Sequence, residues 1–256
     1  MNPSASVSRP AVLVTGASRG IGRAIAERFA QRGCRVAVHY RKNRAAAQAV
    51  VASLEGGGHL AVAADLAVPA EVARLWDEVT AAFGRIDVLV NNAGIFESHP
   101  ALATSFEQWE QAWRRTLDTN LLGPAHLCHR AGNAMAAGGG GRVVNISSRG
   151  AFRGEPDASA YGASKAGLNS LSQSLAWALA GKGVYFFAIA PGWVETDMAA
   201  ETLTGPDGPG ILAQHPLGRV AAPAEIAAAA VFCALDAPAA MTGSIIDVNG
   251  ASYLRT

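Results

Sequence analysis

Ala11-Val12-Leu13-Val14-Thr15-Gly16-Ala17-Ser18-Arg19-Gly20-Ile21-Gly22 is the stretch that decides the fold of this chain. Ala11 to Thr15 is a short apolar run and reads as a buried strand. Ala24 to Ala30 has helical periodicity and stops at Gly33, a residue suited to a helix end. The turn between them carries glycines at 16, 20 and 22. Strand, glycine-rich turn, helix is the context in which a bound phosphate is expected. Glycines let the backbone approach a pyrophosphate, and the helix N-terminus offers free N–H groups and a positive dipole end. The spacing is G-x-x-x-G-x-G, not the G-x-G-x-x-G of the commonest dinucleotide-binding turn. The plain alternative is an ordinary tight turn.

The same rhythm continues along the chain. Strands are expected at Arg35 to Tyr40, Leu60 to Ala64, Ile86 to Val90, Arg142 to Ser147, Val184 to Ala190 and Ser244 to Val248. Helices are expected at Arg44 to Leu54, Pro69 to Phe83, Phe106 to Met135 (bent at Pro124), Ser159 to Ala180 and Pro223 to Leu235. Alternating strands and helices with continuously apolar strands imply a parallel sheet covered on both faces. The first ten residues read as a disordered leader, and residues 11–256 as one domain without repeats or linkers. Trp193 to Arg219, with Gly205-Pro206-Asp207-Gly208-Pro209-Gly210, is long for a connection and follows a strand's C-terminal end. It reads as a substrate lid, against the alternative of an exposed insertion.

Composition narrows the class. Half of the 256 residues are hydrophobic, and a net charge of +1 argues against a dedicated nucleic-acid surface. No apolar run reaches the length of a membrane span, and the first residues carry no apolar signal core. Cys34, Cys128 and Cys233 form no pair motif, so a cytoplasmic setting is the simplest expectation. They read as small buried apolar residues. His126 and His129 share a helix face without a supporting ligand cluster, so no metal site is expected.

Tyr161-Gly-Ala-Ser-Lys165 places a phenol and an ammonium on one face of a helix. The ammonium favours the phenolate, so Tyr161 is expected to exchange a proton near neutral pH. Ser148, at the end of the apolar run Val143 to Ser148, could hold a substrate oxygen against it. The pair alone is weak evidence, because a buried ring beside a solvated Lys fits it too. The phosphate-binding turn elsewhere in the chain is what gives it weight.

Together these residues resemble the short-chain dehydrogenase/reductase family over nearly the whole chain, Ala11 to Tyr253. The matching motifs are Thr15 to Gly22, Asn91-Asn92-Ala93-Gly94, Asn120 in Asp118-Thr-Asn-Leu, Ser148, Tyr161-x-x-x-Lys165, Pro191-Gly-Trp-Val-Glu-Thr196 and Thr242 to Gly250. The resemblance implies a Rossmann-type, doubly wound sheet of seven parallel strands in the order 3-2-1-4-5-6-7. It implies hydride transfer between a nicotinamide cofactor and a carbonyl or alcohol. It makes Tyr161 the acid in reduction and the base in oxidation, with Lys165 tuning it and holding the cofactor's ribose. Ser148 would orient the substrate oxygen. Asn120 would hold a relay water, or bond backbone at a helix kink, or both. Cofactor contacts are implied at Gly16, Ser18, Arg19, Gly20, Ile21, Gly22, Tyr40, Arg41, Asp65, Leu66, Asn92, Ala93, Gly94, Pro191, Gly192, Val194 and Thr196. Turn geometry and helix capping are the alternative for these loop residues.

The choice of cofactor is legible physically. The second strand ends at Tyr40 without Asp or Glu, and Arg41-Lys42 follows. Arg19 and Arg41 could clamp a 2′-phosphate, which favours NADP(H) over NAD(H). The substrate pocket is expected from Phe96 to Pro100, Arg149 to Asp157 and the lid. Similarity to 3-oxoacyl-carrier reductases makes an acyl thioester the leading substrate. The stretch before the fifth strand, Ala136 to Arg142, carries only one basic residue for docking an acidic carrier. A small ketone, a sugar or a polyketide-like compound is therefore the rival. A dinucleotide-binding sensor without catalysis is a third reading, though it has little use for Asn120, Ser148, Tyr161 and Lys165. The resemblance also implies a homotetramer built on the helices around 106–135 and 159–180 and the last strand.

Overall fold

The computed structural model describes residues 9–255. Seven strands form one parallel sheet in the order β3-β2-β1-β4-β5-β6-β7. The first half runs β1 (Ala11–Val14), α1 (Gly20–Gln31), β2 (Arg35–Tyr40), α2 (Arg44–Ser53), β3 (Leu60–Ala63), α3 (Pro69–Phe83) and β4 (Val88–Asn91). The second half runs α4 (Phe106–Leu117), α5 (Gly123–Ala137), β5 (Gly141–Ile146), α6 (Gly150–Arg153), α7 (Ser159–Leu179), β6 (Val184–Pro191), α8 (Asp197–Thr204), α9 (Gly208–Ala213), α10 (Pro223–Val231) and β7 (Ile245–Val248).

The period-2 alternation of the strands builds two cores. Val12, Val14, Val36, Val38, Val88, Val90 and Val144 face one side, against Ile25 and Phe29 of α1, Val50 of α2 and Ile226 of α10. Ala11, Leu13, Ala37, Leu89 and Val143 face the other, against Leu75 and Val79 of α3, Leu127 of α5 and Ala176 of α7. Both faces are therefore covered, and the strands can be apolar throughout. β1 pairs with β2 on one side and β4 on the other. The strand order reverses there, which opens a crevice at the carboxyl ends of the strands.

Three expectations change. The long helix expected over 106–135 is α4 and α5 joined by a π-helical turn at Asp118–Leu122, so the break lies one turn before Pro124. Pro124 has no N–H to give the carbonyl four residues back, and the chain switches to i→i+5 pairing, Gly123 N–H to Asp118 O. The stretch 193–219, expected as a loop-like lid, holds two short helices, α8 and α9. The helix expected to reach Leu235 stops at Val231 and continues as a second π-helical turn, Phe232–Asp236. Of the expected leader, residues 1–8 lie outside the described part. Arg9 is tied down: its guanidinium donates to Gly33 O (2.7 Å), Gly57 O (2.8 Å) and Cys34 O (3.2 Å).

Candidate active site

The crevice is a cavity of about 800 Å³ running across the carboxyl ends of the strands. Its first end is the turn between β1 and α1. Arg19, the residue before α1, is extended and makes no side-chain cap, so the first N–H groups of the helix are not taken by a capping side chain. Gly16 has φ 63° and Gly20 φ 54°, a backbone that L side chains rarely adopt. At Gly22 a Cβ would lie 2.4 Å from Gly16 O and 2.5 Å from Asn92 Nδ2, so the helix can close onto the turn only with glycine there.

Groups from three neighbouring strands hold this turn. The Asn92 amide donates to Thr15 O (2.9 Å) and Gly16 O (3.2 Å). Thr15 Oγ1 accepts from the backbone N–H groups of Asn92 (2.9 Å) and Ala93 (3.0 Å). His39 Nδ1 accepts from Gly16 N–H (3.0 Å), and its Nε2 then carries the proton donated to Ala64 O (3.0 Å). Burial lowers the His39 pKa to about 4, so the imidazole is neutral at neutral pH.

Arg19, Arg41, Lys42 and Asn43 line the wall beyond the turn, and Asp65, Leu66, Asn92, Ala93 and Gly94 line the floor. Asp65 also serves its own loop, accepting from Ala67 N–H at 3.0 Å. Tyr40, expected on the wall, packs into the apolar core instead, and the preceding His39 lines the cavity. The period of the strand explains this, because successive side chains point to opposite faces. Pro191, Gly192, Val194 and Thr196 close the far side.

The second end of the cavity holds the titratable side chains Tyr161 and Lys165. Ser148 follows β5, while Tyr161 and Lys165 sit near the start of α7, and all three line the cavity. The Tyr161 ring meets Phe96 edge-on at 5.1 Å. Lys165 Nζ donates to Ile146 O (2.8 Å) and stands 5.6 Å from the Tyr161 ring centre. Burial pushes the Tyr161 pKa up to about 12, and hydrogen bonding from Ser148 pulls it back only in part. Burial lowers Lys165 to about 8. The expected phenolate near neutral pH is thus not what the protein alone produces. Desolvation of the phenolate dominates, and the ammonium is committed to a backbone carbonyl.

Asn120 is fully buried in the π-helical turn and does not line the cavity. Its Oδ1 accepts from Ile95 N–H (2.8 Å) and its Nδ2 donates to Ile95 O (2.9 Å). Of the two expectations for this residue, the structure displays the backbone-bonding one. Gly94 passes between Asn120 and Lys165; a Cβ there would lie 3.3 Å from Asn120 Oδ1 and 3.6 Å from Lys165 Nζ. From the expected substrate pocket, Phe96, Arg149, Glu155 and Trp193 line the cavity, and residues 97–100 do not. His99 is buried behind them. Its Nδ1 donates to Glu97 O (2.8 Å) and its Nε2 accepts from Ala160 N–H (3.2 Å), capping the catalytic helix from a distant loop.

His39, Thr15 and His99 were not among the expected site residues. For His39 the signal was present: an imidazole inside the apolar strand Val36-Ala-Val-His-Tyr40 must find buried partners. His99 gives no comparable signal, since its partner is about sixty residues away.

A doubly wound parallel sheet, a glycine-rich turn at its switch point and a Ser, Tyr and Lys at the far end of one cavity define a dinucleotide-dependent oxidoreductase class. The chain belongs to the short-chain dehydrogenase/reductase family and is an oxidoreductase of the alcohol–carbonyl type. The matching family model, described as enoyl-(acyl carrier protein) reductase, spans residues 16–251. The chain is 41% identical to the D-threitol dehydrogenase of Mycolicibacterium smegmatis over 245 residues, 95% of this chain and 92% of that one. It is 38% identical to the 3-oxoacyl-[acyl-carrier-protein] reductase of Escherichia coli over 242 residues, 94% and 96% of the two chains. A solved structure from Beutenbergia cavernae, described as an NAD(P) dependent gluconate 5-dehydrogenase with NADP bound at low occupancy, superposes with TM-score 0.87. It is 38% identical, with 96% of this chain and 98% of that one covered. Among the described residues no group of His, Cys, Asp and Glu could hold a metal ion, and no helix is long and apolar enough to cross a membrane.

Proposed function

We propose that this chain reduces a small carbonyl compound to a secondary alcohol with NADP(H), and runs the reverse oxidation by the same path. The observation that carries the proposal is that Ser148, Tyr161 and Lys165 line one end of the cavity whose other end is the uncapped N-terminus of α1. The residues fit a dinucleotide: glycines admit its pyrophosphate, and Arg19 and Arg41 offer two guanidinium groups to a 2′-phosphate. Bound along the cavity, the nicotinamide cofactor supplies the hydride.

The chain's own residues do the rest. Ser148 donates a hydrogen bond to the carbonyl oxygen and polarises it. Tyr161, protonated at neutral pH, hands its proton to that oxygen as negative charge develops there. Lys165 places a positive charge beside the phenolate left behind. Asn120 fixes the loop through Ile95 and so the position of Gly94 against Lys165. In oxidation Tyr161 begins as phenolate and takes the proton from the alcohol oxygen.

Substrate identity divides two readings. Similarity to the carrier-protein reductases favours a 3-oxoacyl thioester. The carboxylate of Glu155 and the guanidinium of Arg149 on the cavity wall favour a small polar ketone. We further infer a homotetramer built on α4–α5, α7 and β7, and a reducing, cytoplasmic setting for the three free, buried thiols. The α8–α9 segment serves as the lid over the substrate.

Tyr161→Phe tests the mechanism. It removes the proton but keeps the ring, and is expected to lower turnover by about 10²–10⁴-fold while NADPH still binds, as read by nucleotide fluorescence. Undiminished turnover would refute the assignment, and absent turnover in the unaltered protein with intact NADPH binding would favour a sensor.

A further inference from the structure

The substrate end of the cavity contains a carboxylate that the proton and hydride chemistry does not use. Glu155 lines the cavity between the ends of β5 and α7. No hydrogen bond from the described residues acts on its carboxylate, and Arg149 and Arg153 reach it only through space. The fold makes room for it. A Cβ at residue 150 would lie 2.4 Å from Glu155 Oε1 and 2.9 Å from its Cγ, so Gly150 is what allows the side chain to lie where it does.

Two further facts place Glu155 near the Tyr161 end of the cavity. Its charge acts on Tyr161, helping to hold the phenolic proton. The backbone around it abuts the catalytic helix, with Glu155 N 3.6 Å from the Cβ position of Gly162. Burial raises its own pKa, against the opposing charges of Arg153 and Arg149. Arg149 donates no hydrogen bond to it. Its guanidinium is directed to Ser252 Oγ (2.6 Å) and Gln214 Oε1 (3.4 Å). A hydroxyl of a substrate bound in the cavity can supply one.

Such a hydroxyl separates the two substrate readings. A 3-oxoacyl thioester has carbon-bound hydrogen only on both carbons flanking its ketone, and so has no donor there. It would leave the half-buried carboxylate to water alone. A ketone with a hydroxyl on the adjacent carbon presents an O–H beside the reacting oxygen. We propose that Glu155 is a specificity-determining residue that accepts a hydrogen bond from a hydroxyl on the carbon next to the reacting carbonyl. The substrate is then an α-hydroxy ketone and the product a vicinal diol. This deepens the carbonyl-reductase reading and rests on it.

The test compares NADPH oxidation with 3-hydroxy-2-butanone, with 2-butanone, which differs only in lacking the hydroxyl, and with a 3-oxobutanoyl thioester. The unaltered enzyme is expected to prefer the hydroxy ketone to both others. Glu155→Leu is expected to lower the hydroxy-ketone to ketone ratio of kcat/KM by about 100-fold. Glu155→Gln, which keeps an acceptor oxygen without the charge and is close in shape, should fall between. A merely structural role for Glu155 would lower both rates together and leave the ratio where it was. A ratio unmoved in both variants, or a thioester preferred by the unaltered enzyme, overturns the inference while leaving the carbonyl-reductase reading intact. Failure of the unaltered enzyme to oxidise NADPH with any of the three overturns that reading, and this inference with it.

Discussion

Tyr161 and Lys165 carry opposite ionisation demands in one desolvated place. Burial moves the phenol up to about 12 and the ammonium down to about 8. Between these values the phenol keeps its proton while the lysine loses its charge. The rate of reduction should therefore be level below about pH 8 and decline above it as Lys165 deprotonates, with Tyr161 still protonated throughout that fall. Initial rates across this range check the sign; a rate that climbs above pH 8 would contradict it. The proposed contact with a 2′-phosphate also rests on single residues. Arg19 and Arg41 line the cavity, and neither has a carboxylate within ion-pair distance among the described residues. Replacing both by Ser should cost about 10- to 100-fold in kcat/KM for NADPH and far less for NADH. Equal loss with both cofactors, or an unaltered enzyme that prefers NADH, would remove the 2′-phosphate from the argument. At this scale residue type singled out Tyr161, Lys165 and the arginines, and all of them line the one cavity. It could not give the phenol's ionisation in the chain alone, because that depends on burial and on what Lys165 Nζ bonds.

Elements meet at the glycine-rich turn, and His39 is the clearest joint between them. It ties β2 to the turn after β1 through Gly16 N–H and to the end of β3 through Ala64 O. Its folded pKa of about 4 lies below the ordinary histidine value of 6.5. The folded protein then binds fewer protons than the unfolded chain between these values. The stabilisation is fully present above pH 6.5 and is lost as pH falls towards about 4. The loss amounts to on the order of 3 kcal/mol. Urea denaturation of the unaltered protein should show it, and His39→Asn, which can still accept from Gly16 but does not titrate, should lose that part of the slope. An identical slope in the variant would rule His39 out as its source. Strands and most helices were legible from hydrophobic period because each is a local pattern. The π-helical turn at Asp118–Leu122 was not, since Pro124 announces a disturbance but not which neighbours adjust to it. The short helices α8 and α9 escaped for a related reason. They pack chiefly on each other, and their glycines and prolines read locally as loop.

At the scale of the molecule, the sheet brings residues from opposite ends of the chain to one crevice. Gly16 and Lys165 share a cavity because β1 pairs with β4, β4 with β5, and α7 follows β5. Beyond the single chain, the exposed Trp177 on α7 beside Thr242 to Ser244 offers an apolar face for a second copy. Light scattering at micromolar concentration should give the mass of four chains, and a monomer's mass would exclude the homotetramer. The sequence by itself determined the alternation of strands and helices, the glycine-rich turn and the pairing of Tyr161 with Lys165 on one helix. These rest on residue type and on spacing within one element, which no distant contact can change. Only the tertiary structure decided that His39 rather than Tyr40 lines the cavity, that Asn120 is committed to Ile95, and that Glu155 lines the cavity without a hydrogen-bond donor among the described residues. Each of these depends on which buried groups meet across elements far apart in the chain, and on what the loss of water does to their charges.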